Sequence, residues 1–399
     1  MSGAPQGEVA TTGRISPLRL LQVTTLVSTL DRFAMPPMLV AIAASLDVPL
    51  TQVVTAAGAY FLVYGLGQPL WGFASDRYGR VRTLRTSLVV AGLLSLVSAL
   101  SPTVLVLGIL RGLAGGFFGA AYPSALIYLG DTVAPARRQQ AITGLMVGVA
   151  VGTATASAGA GLLADVASWR IPFVLTGSAA LVLSVLLARL PEPAGSGERA
   201  TAWTSLATVA RSRVTLLVLF FAFVEGVVLL GALTLLPTAV ESAGASTTVA
   251  GAVTGVYGIA VLLGSSSVGR LSLAWHPARL ILLGAACAAL ATGLLAVSQR
   301  PEVAVVSAVL LGIAWPAMHS SLQTWATEVL PAARAVVVSL FAASLFVGSA
   351  LGAIAVAGLV DAGRFTVVYG AYAALAVPLG IGAWAARRRW RRPVPVGEP

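Results

Sequence analysis

The sequence predicts an all-α membrane protein with twelve transmembrane helices in two pseudo-symmetric six-helix bundles and both termini in the cytoplasm. Three observations carry this expectation. Of 399 residues, 57% are hydrophobic and 10% charged, where a soluble domain carries about 25% charged residues. The apolar residues gather into long runs, each sufficient for a span of roughly 20 residues. Arginine concentrates in every second break between the runs, as short cytoplasmic loops require. A soluble enzyme of this length could not cover its surface with so few charges. Disorder is excluded too, because disordered chains are poor in apolar residues.

The runs place helices near 18–45, 51–73, 84–101, 103–130, 140–164, 170–189, 213–240, 248–270, 278–298, 302–326, 334–360 and 365–386. Residues 1–17 are polar, lack a signal-peptide plan, and read as a cytoplasmic tail, as do residues 387–399. The first bundle occupies 18–189 and the second 213–386. The stretch 190–212 holds Pro191, Pro193, Gly195 and Gly197 and reads as a flexible cytoplasmic linker.

Twenty of the 25 basic residues lie in one alternating set of breaks, and Arg170, Arg300 and Arg364 in the other. The last two, Arg32 and Arg111, lie inside helices. The net charge of +11 is therefore topological and does not point to nucleic acid. Lys and Asn are both absent, which indicates a GC-rich, bacterial genome and a location in the bacterial cytoplasmic membrane. The single Cys287 permits no intramolecular disulfide and reads as a packing residue.

The two halves repeat. Asp31 and Glu225 each lie 12 residues beyond an arginine, Arg19 and Arg213. Gly67, Gly72, Arg82 and Asp131 recur as Gly264, Gly269, Arg279 and Glu328, 197 residues later. Pro135, Arg138, Gly152 and Asp165 recur as Pro331, Arg334, Gly348 and Asp361, at an offset of 196. Parallel six-helix repeats are a transporter plan, with the substrate site between them.

The break after helix 2 reads Gly72-Phe-Ala-Ser-Asp76-Arg77-Tyr-Gly79-Arg80-Val-Arg82. Its charges are too costly for lipid, and Gly79 permits the tight turn. The pattern G-x-x-x-D-R-x-G-R-x-R, in this loop of a twelve-helix repeat, resembles the signature loop of the major facilitator superfamily. The resemblance covers essentially the whole chain. It implies that Gly72, Asp76, Arg77, Gly79 and Arg80 form a conformational switch, with Asp76 against a helix of the other half. It also implies that an arginine of the loop pairs with an acid at the cytoplasmic end of helix 4, here Asp131. Arg111-Gly-Leu-Ala-Gly-Gly-Phe-Phe-Gly119 looks like the family's proton-transfer motif, and Ser168-Trp169-Arg170 is a weaker echo. Antiporters of the superfamily carry a Gly-Pro motif in helix 5; here Thr153 follows Gly152, and the spaced glycines equally serve close packing.

Ionisable residues inside spans are candidate functional sites because their burial is expensive. Counted from the helix ends at about 1.5 Å per residue, Asp31 and Arg111 reach the same depth. They read as the proton-coupling pair, with a permanent structural ion pair as the alternative. Glu225, with no basic residue evident near it, reads as a second proton site, a site for a cationic substrate, or a neutral left-over of the repeat. Arg32 lies about 100° round the helix from Asp31 and points elsewhere. The resemblance implies that helices 1, 4, 7 and 10 line the central cavity. Its candidate walls are Arg32, Met35, Met38, Phe118, Tyr122, Trp315, His319 and Gln323, and aromatic and Met walls suit an amphipathic organic molecule.

The sequence has neither a Walker loop nor a metal-ligand constellation, so the expectation is a transporter, not an enzyme, without metal or cofactor. Without an ATP site, gradients drive it, protons most simply. The reading placed first is proton-antiport export of small amphipathic compounds such as drugs or metabolites, by alternating access, as in multidrug efflux. Proton-coupled uptake of an organic anion, bound by Arg32 or Arg111, is the alternative, and a lipid flippase a third. The resemblance implies a monomer.

Overall fold

The computed structural model describes residues 16–193 and 202–391 of the chain. Among them, twelve helices are long and apolar enough to cross a membrane. In the first half these are α1 (Pro17–Leu46), α2 (Leu50–Ser75), α3 (Arg80–Ser98), α4 (Val104–Thr132), α5 (Gln140–Val166) and α6 (Ile171–Arg189). In the second they are α7 (Arg213–Ser242), α8 (Thr247–Ala274), α9 (Pro277–Val297), α10 (Pro301–Val329), α11 (Arg334–Asp361) and α12 (Phe365–Arg389).

Several boundaries differ from the sequence reading, two of them at the linker and the C-terminal tail. The stretch read as a flexible linker contains a helix, Ala202–Arg211, while residues 194–201 lie outside the described ones. Helix α12 runs on to Arg389, taking in arginines assigned to the tail, because Arg387 finds Glu328 at 2.7 Å and the Trp390 ring 4.7 Å from its guanidinium.

Pairing within each half follows the repeat. Helix α1 packs on α5 and α6, and α7 packs on α11; α2 lies against α4, and α8 against α10. The halves join through two crossed pairs, α2 with α11 and α5 with α8. Small residues permit these approaches. Gly161 and Gly251 sit where a Cβ on either would crowd the other's backbone, across the α5–α8 contact. Gly152 lies against Thr29 of α1, and its repeat partner Gly348 against the backbone of Phe223 in α7. Close packing therefore accounts for Gly152 and Gly161 of helix 5, whereas a Cβ on Gly159 would meet nothing within 4 Å.

At the arginine-poor end the halves are tied by matching contacts. The Asp361 carboxylate accepts the Leu50 N–H at 2.8 Å, capping α2. Asp165 accepts the Thr248 hydroxyl at 2.6 Å, at the start of α8. Both acids belong to the repeat, and each holds the other half's helix N-terminus, where negative charge is favoured.

The four helices 1, 4, 7 and 10 are each interrupted near mid-length. In α1 a 3₁₀ turn, Pro36–Met38, begins with the paired prolines. Helix α4 breaks between Phe118 and Ala121. Helices α7 and α10 contain π-helical turns at Gly226–Leu230 and Trp315–His319. Phe118 and Trp315 are 197 residues apart, so the interruptions themselves obey the repeat. Discontinuous helices of this kind mark substrate sites in transporters.

Candidate functional site

The signature loop forms a charged latch. Helix α2 continues to Tyr78 and ends at Gly79, whose φ of +100° a side chain rarely adopts. The chain turns directly into α3, four residues before the sequence reading placed it. Glu192, just after α6, explains the early start. Its carboxylate accepts the backbone N–H groups of Arg80, Val81 and Arg82, the free donors of a helix's first turn. A Cβ on Gly79 would stand 2.7 Å from that carboxylate, so glycine is needed for the turn and for the cap. Arg80 Nε lies 3.1 Å from Asp131 Oδ2, which pairs the loop with α4 as the resemblance implied. Arg77 is exposed, 5.7 Å from the Tyr78 ring centre. Gly72 faces Ser339 of α11 in the other half. The side chain of Asp76 lies outside the described residues. Glu192 had no signal in the sequence beyond its place between two prolines.

Asp31 and Arg111 meet, as their matched depths predicted. Arg111 Nη2 donates to Asp31 Oδ2 at 2.6 Å and to the Asp31 carbonyl at 3.1 Å. Its Nη1 donates to Oδ1 at 3.1 Å and to Ser95 Oγ at 3.0 Å. The hydroxyls of Ser95 and Thr176 each donate to Oδ1 at 2.8 Å. The Tyr60 and Phe173 rings flank the guanidinium at 4.7 and 4.5 Å. Both charged side chains are fully buried. The pair joins α1, α3, α4 and α6 inside the first half, with nearly every polar atom used, and it does not line the cavity between the halves.

That cavity is small, about 60 Å³, and is lined by Arg32 and Phe33 of α1, Thr153 of α5, Tyr257 of α8, Trp315 of α10 and Phe346 of α11, among others. Arg32 Nη1 donates to the Tyr64 hydroxyl at 3.1 Å, and Nη2 approaches Thr29 Oγ1 at 3.5 Å. Its guanidinium lies 4.9, 5.2 and 5.5 Å from the ring centres of Phe33, Tyr64 and Phe346. No carboxylate of the described residues pairs with it, and its buried Nε has no hydrogen-bond partner among them.

Glu225 is not isolated. Its Oε2 lies 3.4 Å from His319 Nδ1, a neighbour from helix α10 that the sequence reading assigned to the cavity wall instead. Glu225 is fully buried and His319 nearly so, while Glu225 Oε1 has no partner among the described residues. His319 stacks on Trp315, ring centres 4.1 Å apart, so the acid–imidazole pair stands one ring behind the cavity wall.

Other proposed wall residues lie elsewhere. Met35, Met38 and Phe118 are buried in the core; Met35 and Phe118 share the helix faces of Asp31 and Arg111, four and seven residues on, and those faces point into the first half. The Tyr122 hydroxyl faces Met146 of α5 at 3.8 Å. Gln323 lies two turns along α10 from Trp315 and is not a lining residue. Among the described residues no cluster of His, Cys, Asp and Glu is suited to a metal.

Two six-helix repeats around a central cavity, with helices 1, 4, 7 and 10 all broken, define a secondary transporter. The chain belongs to the Major Facilitator Superfamily, whose family model matches residues 21–335 and 231–399. Over 142 residues it is 34% identical to the 3-(3-hydroxy-phenyl)propionate transporter of Escherichia coli, the alignment covering 34% of each chain. Over 143 residues it is 36% identical to the 4-hydroxybenzoate transporter PcaK of Pseudomonas aeruginosa, covering 35% of this chain and 31% of that one. The matched stretches thus span about a third of those relatives. The fold is shared with the nucleoside transporter NupG, at a TM-score of 0.76, 15% identity and coverage of 92% of this chain and 99% of that one. It is shared with the Escherichia coli xylose transporter XylE at a TM-score of 0.72 and 15% identity, over 92% and 96% of the two chains. The protein is accordingly a multi-pass membrane transporter of that superfamily.

Proposed function

We propose that the protein carries an aromatic carboxylate into a bacterial cell together with protons, Arg32 taking the carboxylate and the Glu225–His319 pair taking the proton. The observation that carries this reading is Arg32: a partly buried guanidinium without a carboxylate, set among aromatic rings at the interface of the halves. An arylalkanoic or hydroxybenzoic acid supplies both complements, a carboxylate for the guanidinium and a ring for Phe33, Tyr64 and Phe346. The printed activities of the two relatives, on a hydroxyphenylpropionate and a hydroxybenzoate, favour the same class. The export reading placed first from sequence rested on Asp31 as the proton carrier. Asp31 is saturated by Arg111, Ser95 and Thr176, whereas Glu225 keeps an unpartnered oxygen and a titratable imidazole beside it. With about 60 Å³ enclosed, an organic anion enters only when the halves part, as alternating access demands.

The test is uptake of labelled 4-hydroxybenzoate and 3-phenylpropionate into proteoliposomes with acid outside. Accumulation above equilibrium is the expected result. Arg32→Gln should raise KM at least tenfold, since a hydrogen bond to a charged group is worth about 1.5–3 kcal/mol. Glu225→Gln should leave exchange of preloaded substrate while abolishing pH-driven accumulation. Movement of substrate against the proton flow would restore the export reading, and an unchanged KM in Arg32→Gln would remove the carboxylate from Arg32. Activity on a labelled phospholipid alone would make the protein a flippase.

A further inference from the structure

The two halves differ at one place where their repeat should make them alike. In the first half, Trp71 of α2 fills the space beside α4. Its indole donates to the Gly116 carbonyl at 2.6 Å and its ring centre lies 5.5 Å from that of Phe117. The residue 197 positions on is Val268 of α8. Gly67 and its counterpart Gly264 both bring the backbones of the paired helices close, so the helix crossing is retained while the side chain that sealed it is gone. What remains is an apolar groove of about 340 Å³ between α8, α9 and α10.

The groove follows one stripe of α8, from Val256 to Leu271. Fifteen residues at 1.5 Å each give about 22 Å, more than half of a hydrocarbon core about 30 Å thick. It therefore reaches the depth of a full leaflet. Its lining is apolar except for Ser267, and Leu263 on its rim is 66% exposed. At the arginine-rich end, Arg270 immediately precedes Leu271, where the first half has Phe73. Arg279 lies one turn before the lining residue Leu283. Both arginines are exposed and have no carboxylate partner among the described residues. Trp275, 37% exposed, stands between them, a residue type that favours the membrane interface.

We infer that this groove is a binding site for one anionic phospholipid, an acyl chain lying along α8 and the phosphate between Arg270 and Arg279. An apolar slot of leaflet depth, closed at its polar end by two unneutralised guanidiniums, matches the two chemically distinct parts of such a lipid. A neutral lipid satisfies only the slot, and a second copy of the chain would have to bring acids to the arginines. The inference stands apart from the substrate reading, because the groove faces away from the cavity that holds Arg32.

Native mass spectrometry of the full chain, released from micelles holding equal amounts of phosphatidylglycerol and phosphatidylcholine with identical chains, tests it. Each arginine near a membrane surface gives about a fivefold preference for anionic lipid, so two give about 25-fold. The wild type should retain phosphatidylglycerol by about that ratio. Arg270→Gln with Arg279→Gln should keep the adduct and lose the preference. Val268→Trp, which restores the first half's seal, should lose the adduct of either lipid. If Val268→Trp melts early, Ser267→Phe fills the same groove from an exposed position. Equal retention of the two lipids by the wild type, adducts that persist in both filled variants, or a dimer occupying the face would each overturn the inference.

Discussion

Removing either partner of the Asp31–Arg111 pair separates a fixed strut from a moving proton site. In Asp31→Ala the guanidinium keeps its place but loses both carboxylate contacts, retaining the Ser95 hydroxyl and the backbone carbonyl of residue 31. Leaving a buried charge uncompensated costs about 3–5 kcal/mol. Arg111→Met is the milder change. The carboxylate left behind still has the hydroxyls of Ser95 and Thr176 and can neutralise itself with a proton, which a guanidinium cannot do. Its cost should fall nearer the about 1–3 kcal/mol of an unsatisfied polar group. Replacing both, Asp31→Leu with Arg111→Met, removes the charges together and should recover stability to within about 1 kcal/mol of the wild type, as apolar replacement of buried pairs does.

The assay is equilibrium unfolding of the full chain in mixed micelles, followed by tryptophan fluorescence, alongside proton coupling in proteoliposomes. The expected order of stability is wild type close to the double variant, then Arg111→Met, then Asp31→Ala. The double variant should still accumulate substrate in response to a pH gradient. A double variant that is as stable as the wild type and binds substrate, yet no longer couples transport to protons, would refute the reasoning. Asp31 would then be the proton carrier that the sequence alone proposed, and Glu225–His319 a relic of the repeat.

Three further outcomes follow. Glu192→Gln weakens the cap on α3 by about 1 kcal/mol, so the amides of Arg80–Arg82 should exchange hydrogen about fivefold faster. Gly348→Ala puts a Cβ onto the Phe223 carbonyl, whereas in Gly152→Ala the nearest atom, Thr29 Cβ, is 3.0 Å away. Gly348→Ala should therefore destabilise the chain by about 1–3 kcal/mol and more than Gly152→Ala, measured by the same unfolding assay. Asp165→Ala and Asp361→Ala each remove a tie across the arginine-poor end; spin-label distances there should shift toward the open state by about fivefold for each, from about 1 kcal/mol per contact.

The spans were legible because each must satisfy its own backbone and carry about 20 apolar residues. The Asp31–Arg111 pair was legible because depth along a helix is simple arithmetic. The Arg80–Asp131 contact came from resemblance alone. The Glu225–His319 pair was missed although both residues were singled out, because the π-helical turn of α10 ends at His319. That turn alters the facing of His319, and a regular period of 3.6 cannot place it. Met35 follows Asp31 by four residues and Phe118 follows Arg111 by seven, so they share the face of that pair, which points into the first half and not to the cavity wall. Glu192 was hidden for another reason: a cap is a long-range contact, and neither its own neighbourhood nor that of Gly79 contains the other.

The repeat also shows how two similar halves came to hold different charges. Asp31 and Glu225 are counterparts, yet only the first has a guanidinium to meet, because the place of Arg111 is taken in α10 by Ala308, fully buried. Freed from a permanent counter-ion, Glu225 meets the imidazole of His319 instead. One residue on, Arg32 corresponds to Gly226. The first half thereby presents a fixed cation to the cavity, and the second uses glycine to let the α11 backbone approach at Leu345. In the proposed uptake reading the fixed cation would hold the anionic substrate, and the acid–imidazole pair on the opposite half would take the proton. With the two charges on different halves, rocking one bundle against the other changes the distance between bound anion and proton site. That distance is the quantity through which each can influence the other's binding. A saturated pair such as Asp31–Arg111, wholly within one bundle, moves as a unit and has no such leverage.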